Sequence, residues 1–300
     1  MTISCSGSIA ALVTPFEAGG ESIDRAAWQR LIAWHLEAGT NGIVVAGTTG
    51  ESATLDADER DWLLESALET VAGRCLVLAG TGASSTSVAV ARSRRAATQG
   101  ADAVLVVAPY YNRPPQRGLV AHYLAIADAS EVPLVLYNVP SRTAIDIEPE
   151  TTLTLAAHQN IVAIKEAVAD MTRVQRYAKA GLDVLSGDDT TALEAMRYGA
   201  RGVISVAANV APAAVSRMCR LAAEGDYDAA AEMDAQLKPL YRFLGAESNP
   251  IPAKWLLAAS GCIGRDLRLP LVELDEPQQA AGRRLLETLE VEPTLQKKKV

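Results

Sequence analysis

Ile161-Val162-Ala163-Ile164-Lys165-Glu166-Ala167 reads as a buried β-strand that ends in a charge. Its apolar, partly β-branched run suits a strand covered on both faces, as in a parallel sheet. Lys165 stands at the C-terminal end. Burying an ammonium with no partner is costly or forces the group neutral. A neutral amine attacks carbonyls, so the stretch suggests Schiff-base chemistry. A lysine that simply reaches solvent from the strand end is the alternative. Side chains alternate along a strand, so a Lys165 pointing into a barrel sends Glu166 outward and denies it the role of intimate ion partner.

Seven further segments have the same character: 9–13, 42–46, 75–79, 103–108, 132–137, 183–185 and 202–206. Each is followed by a helix-length stretch with apolar residues three and four apart, marked first by Leu31, Ile32 and Leu36, then by Trp62, Leu63, Ala67, Leu68 and Val71. Asp56 and Glu59 have the spacing of a capping box at the start of the second of these. Strand–helix alternation with fully apolar strands predicts parallel strands joined by right-handed crossovers. Eight such units predict an α/β fold closed as a (β/α)8 TIM barrel. An open doubly wound sheet is the other option, weakened by the lack of a G-x-G-x-x-G turn after the first strand. Past Glu224 the pattern becomes purely helical. Tyr227, Ala230, Met233, Leu237, Leu240 and Leu244 recur at helical spacing, with Pro239 expected to kink the helix. Segments 250–260 and 277–289 read as two more helices. The predicted division is a catalytic barrel over 1–224 and a C-terminal helical domain over 225–300, with the tail at 296–300 solvated.

The chain has 300 residues, 49% of them hydrophobic, enough for a sizeable core. A net charge of −8 offers no basic patch for nucleic acid. No apolar run is long enough to span a bilayer, and residues 1–8 lack the features of a signal peptide. Cys5, Cys75, Cys219 and Cys262 are far apart and read as separate reduced thiols of a cytoplasmic protein. His35, His122 and His158 are equally scattered and are placed on helix or loop surfaces; with no ligand spacing, no metal site is expected.

In a barrel of this kind the site lies at the C-terminal ends of the strands. The second strand ends in Gly47-Thr48-Thr49-Gly50-Glu51-Ser52, a turn whose amides and hydroxyls could hold a carboxylate or phosphate, or which could be merely structural. It lacks the ending of a nucleotide P-loop. The fourth strand ends in Pro109-Tyr110-Tyr111-Asn112 and the fifth in Tyr137-Asn138-Val139-Pro140-Ser141-Arg142. Strand-end tyrosines are common rim residues. Arg142 is either a solvated charge or a fork for a substrate carboxylate. The seventh strand ends in Ser186-Gly187-Asp188-Asp189, where helix capping explains the aspartates better than metal binding. The eighth brings Gly202-Val203-Ile204-Ser205, a plausible backbone wall. An amine, a phenol, a guanidinium and a turn of amides and hydroxyls together suit a small keto acid.

These motifs, with Tyr137 to Thr143, Lys165-Glu166 and Ser248-Asn249-Pro250-Ile251-Pro252, closely resemble the dihydrodipicolinate synthase family of class I pyruvate-dependent aldolases over about 7–289. The resemblance implies that Lys165 forms an imine with pyruvate and that Tyr137 relays protons. It implies that Thr48 links Tyr137 to Tyr111, the latter entering from a neighbouring subunit, and that Thr48 and Thr49 hold the pyruvate carboxylate. Arg142 would receive the carboxylate of L-aspartate 4-semialdehyde, while Gly187 and Ile204 line the site. It further implies a homotetramer built as a dimer of dimers, no metal or organic cofactor, and a place in diaminopimelate and L-lysine biosynthesis. Another pyruvate-dependent lyase, acting on a sugar acid such as N-acetylneuraminate, is the alternative. Ser141-Arg142-Thr143 distinguishes the two, since such lyases do not usually carry that ending. A catalytically silent barrel serving as a sensor is a third reading, opposed by the joint presence of Lys165, Tyr137, Thr48 and Tyr111. Positions that bind feedback lysine in related enzymes appear here as Ala57, Arg60, Ser84 and Val88, which implies weak or absent lysine inhibition.

Overall fold

The computed structural model describes residues 3–289. The expected solvated tail, with Lys297, Lys298 and Lys299, lies outside the described residues, as do the first two residues of the segment tested for a signal peptide. Eight parallel strands close into a barrel in sequence order: β1 (Gly7–Ala11), β2 (Gly42–Val45), β3 (Leu76–Gly80), β4 (Ala103–Val107), β5 (Leu134–Asn138), β6 (Ile161–Glu166), β7 (Asp183–Ser186) and β8 (Gly202–Ser205). β8 pairs with β1, so the open-sheet option is excluded. All eight predicted strands are present, with ends shifted by one or two residues.

Around them run α1 (Arg25–Glu37), α2 (Ala57–Val71), α3 (Thr86–Gln99), α4 (Gln116–Ala129), the single turn α5 (Pro140–Thr143), α6 (Pro149–Ala156), α7 (Met171–Lys179), α8 (Ala192–Arg197) and α9 (Pro212–Ala223). The chain then adds α10 (Tyr227–Leu244), α11 (Ile251–Ala259) and α12 (Glu276–Thr288). α10 continues through Pro239 as one helix. Leu237, Leu240, Trp255 and Leu285 of these last helices belong to the same apolar cluster as the outer face of the barrel.

Strand alternation creates two cores. Ile9, Ala11, Val44, Leu78, Leu105, Val135, Ala163, Leu185 and Ile204 fill the barrel interior. Ala10, Ile43, Val45, Val77, Val104, Leu136, Ile164 and Val203 face the helices. At about 25 cal/mol per Å² of apolar surface removed from water, these two layers supply the main drive to close the ring. α2 begins at the predicted capping box: Asp56 accepts the Glu59 N–H at 2.8 Å, and the Glu59 carboxylate accepts the Asp56 N–H at 3.1 Å.

Two of the three histidines depart from expectation. His35 is 1% exposed and His122 is 4% exposed, not at the surface. His35 Nδ1 shares a hydrogen bond with Thr40 Oγ1, and His122 Nδ1 with Thr86 Oγ1. Burial pulls His35 down to about 3 and His122 to about 4, because the cationic ring would lose its hydration. His158 is half-buried and lies 3.1 Å from Asp128. The four cysteines are free thiols. No helix among the described residues is long and apolar enough to cross a membrane.

Candidate active site

β5 and β6 align Tyr137 with Lys165 and Asn138 with Glu166. Tyr137 and Ala163 belong to the interior layer, so Lys165, two residues past Ala163, also points inward. Its Nζ lies 4.3 Å from the centre of the Tyr137 ring, and the residue is 5% exposed. Among the described residues no carboxylate pairs with Lys165. Glu166 takes the opposite side of the wall, as alternation requires. There it accepts hydrogen bonds from Asn138 Nδ2 at 3.0 Å and from the Val168 N–H at 2.8 Å, with Arg173 3.8 Å away. Burial nevertheless pushes its carboxyl up to about 7, against the pull of those hydrogen bonds and of Arg173.

The wall opposite the lysine is the turn after β2. Thr48, Thr49, Tyr137 and Lys165 line one cavity at the C-terminal mouth of the barrel. Inside the turn, the N–H groups of Gly50 and Ser52 donate to the Gly47 carbonyl, and that of Glu51 to the Thr48 carbonyl. The N–H groups of Thr48 and Thr49 have no partner among the described residues. They remain available to an anion, together with the Thr48 hydroxyl. Gly80 floors this wall: a Cβ there would sit 2.3 Å from the Ala46 carbonyl oxygen, so only glycine lets β3 approach so closely. Ala46, Glu51 and Tyr111 all have positive φ, at 52°, 54° and 74°. Strained backbone of this kind gathers at working sites.

The remaining predicted residues divide. Ile204 lies in the interior layer. Gly187 follows β7 and donates its N–H to the Glu166 carbonyl at 2.7 Å; a Cβ there would meet that of Ala167 at 2.9 Å. Arg142 is on α5, exposed, with its Nη2 3.4 Å from the Asn249 carbonyl oxygen. Tyr111 is 93% exposed and does not line the cavity of its own chain. Asp188 and Asp189 act as caps: Asp188 accepts the Thr190 N–H, and Asp189 accepts the N–H groups of Val206 and Ala207. Among the described residues no three His, Cys, Asp or Glu side chains come together as a metal site requires.

Sequence reasoning missed several groups. Asn138 ties Glu166 to Asp146 and accepts the Ile147 N–H. Asn249 donates to Thr49 Oγ1 at 2.9 Å. Lys254, wholly buried, donates to Glu51 Oε1 at 2.6 Å. Asn249 was visible as part of the Ser248–Pro252 motif. Lys254 offered a weaker signal, a lysine inside the apolar run Ile251-Pro252-Ala253-Lys254-Trp255-Leu256-Leu257.

Fold and site define a (β/α)8 barrel with a buried amine at its mouth, the arrangement carbonyl chemistry requires. The family model of the dihydrodipicolinate synthetase family matches residues 4–289. The 4-hydroxy-tetrahydrodipicolinate synthase of Stenotrophomonas maltophilia is 52% identical over 286 residues, 94% of this chain and 96% of that protein. The enzyme of the same name from Coxiella burnetii is 45% identical over 281 residues, 94% of this chain and 97% of that protein. Among solved structures, the chloride-inhibited dihydrodipicolinate synthase from Acinetobacter baumannii, complexed with pyruvate, superposes with a TM-score of 0.93 at 43% identity, covering 95% of this chain and 99% of that one. The chain therefore belongs to the dihydrodipicolinate synthetase family.

Proposed function

We propose that this chain catalyses the Schiff-base condensation of pyruvate with L-aspartate 4-semialdehyde to 4-hydroxy-tetrahydrodipicolinate, in diaminopimelate and L-lysine biosynthesis. The observation that carries the reading is Lys165 turned into the barrel mouth beside Tyr137, facing the unspent Thr48 and Thr49 amides. Pyruvate places its carboxylate on Thr48 and Thr49 and its ketone against Lys165 Nζ. Nζ adds to the carbonyl carbon, and water leaves as the imine forms. The iminium withdraws electrons, so a methyl proton is lost and an enamine results. The enamine carbon bonds to the aldehyde carbon of the second substrate. The amino group of that substrate then attacks the imine carbon, closes the ring and frees Lys165. Tyr137 carries protons between these steps, a role typically worth ~10²–10⁴-fold.

Arg142, exposed at the rim, suits the carboxylate of the incoming aldehyde through a two-pronged contact. Gly187 and Ile204 are not among the residues lining the Lys165 cavity, and their part is to back the strands beside it. Tyr111, turned away from its own cavity, fits the site of a neighbouring copy, with Thr48 joining it to Tyr137 in a homotetramer of paired dimers. We place the enzyme in the cytoplasm, with the barrel over 1–224 and a helical domain over 225–300.

The test is borohydride trapping with pyruvate, followed by a coupled assay with aspartate semialdehyde and the downstream reductase. A mass increase confined to Lys165, lost in Lys165→Met, and turnover of the semialdehyde are expected. Trapping without semialdehyde turnover, but with cleavage of N-acetylneuraminate, would overturn the choice of second substrate. An unmodified protein would overturn the enzyme reading altogether.

A further inference from the structure

The turn bearing Thr48 and Thr49 is held from the far end of the chain at two points, one on each side of Gly50. Asn249 Nδ2 donates to Thr49 Oγ1 at 2.9 Å. Glu51 Oε1 accepts from Lys254 Nζ at 2.6 Å, and Glu51 Oε2 accepts the Arg268 N–H at 3.1 Å. The side chains of Lys254 and Glu51 are 0% and 1% exposed. The face of the Phe16 ring closes over the ammonium at 4.3 Å. Thr14 Oγ1 fixes the Gly50 carbonyl between the two ties at 2.8 Å.

We propose that the buried Glu51–Lys254 ion pair, with Asn249, is a positioning device that sets the Thr48–Thr49 turn to receive the keto-acid carboxylate. The inference rests on the reading of the site given above. Three observations support it over a purely structural role. First, a buried ion pair is a poor source of net stability, since desolvation of both charges offsets most of their attraction. What it supplies is direction: one carboxylate anchors the turn to α11 and to the segment before Pro270. Second, Glu51 sits three residues from Thr48 and holds a left-handed backbone at φ 54°, a conformation disfavoured for glutamate. The turn would relax elsewhere without its tie. Third, Asn249 and Lys254 are five residues apart on one segment, and the Asn249 carbonyl also meets Arg142. One piece of chain thus touches both groups assigned to substrate carboxylates.

The experiment compares wild type, Lys254→Met and Asn249→Ala by steady-state kinetics, borohydride trapping at saturating pyruvate and thermal melting. The expected result is a split: KM for pyruvate rises about 10-fold in Lys254→Met and about 3-fold in Asn249→Ala, while KM for the aldehyde stays within about 2-fold. Trapping at saturating pyruvate still labels Lys165 in both variants. Lower melting temperatures with pyruvate KM unchanged per folded site would overturn the proposal. Should Lys254→Met fail to fold, Asn249→Ala decides alone, because it removes one part-buried hydrogen bond and no charge. A wild-type protein that traps no pyruvate would bring down the site reading and this proposal together. A wild type that traps pyruvate beside variants of unaltered pyruvate KM would overturn the positioning role only.

Discussion

Lys165 and Glu166 are neighbours in the chain and strangers in space. The lysine joins the barrel interior with Tyr137, and the glutamate joins Asn138, Asp146 and Arg173 on the outer side. The separation was legible from alternation alone. The network around Glu166 was not, because Asn138, Asp146 and Arg173 meet it only through strand register and a helix return. Glu166 has a measurable signature. Its folded-state pKa of about 7 stands above the 4.5 of an ordinary glutamate, owing first to burial. The folded protein therefore binds the proton more tightly than the unfolded chain. The stabilisation is complete below pH 4.5, falls as pH rises towards 7 and is absent above it. The size is on the order of 3 kcal/mol. Glu166→Gln cannot titrate, so the stability of wild type minus that of the variant should fall by about that amount between pH 4.5 and 8 in urea unfolding. A pH-independent difference would mean that Asn138 and Arg173 keep the carboxylate ionised in the fold.

The capping box of α2 was readable because its two partners are three residues apart and need nothing distant. His35 and His122 are buried, and the sequence carries the signal for it. Trp28, Leu31, Ile32 and His35 fall at i, i+3, i+4 and i+7 on the buried stripe of α1, and Leu119, His122, Tyr123 and Ile126 do the same on α4. Periodicity outweighs polarity at these positions, because a neutral imidazole with one hydroxyl partner is tolerated inside. The same helical layer bears on regulation. On α2 the guanidinium of Arg60 donates to the Ser52 carbonyl, just past the Thr48–Thr49 turn, and is pulled down to about 10 by burial and by Arg92 nearby. A cation there repels the ammonium of a lysine effector, and Ala57 and Val88 offer no polar replacement. We expect millimolar lysine to leave activity largely intact in the coupled assay. Half-inhibition in the micromolar range would contradict this.

At the scale of the molecule, the barrel was legible because eight apolar strands alternate with eight helical returns, a pattern that closes naturally. What the C-terminal segment does for the mouth was not legible. Its contacts with the β2 turn span about two hundred residues of chain, the Glu51–Lys254 separation being 203, and no local pattern encodes them. Tyr111 poses the remaining question of assembly. It is 93% exposed, its backbone has φ 74°, and it does not line the cavity of its own chain. If paired copies exchange this tyrosine, a site is complete only when one chain gives Lys165 and the other gives Tyr111. Tyr111→Phe alone and Lys165→Met alone should each be nearly inactive. Co-expressed, they form mixed pairs in which the chain retaining Lys165 is served by an intact Tyr111 from its partner. Random pairing makes half the dimers mixed, each with one whole site, so activity should return to about a quarter of wild type. Sedimentation of the mixture fixes the dimer fraction and lets that yield be counted per pair. Activity no higher than the sum of the two parents would place Tyr111 outside the partner's site and leave Tyr137 to move protons without it.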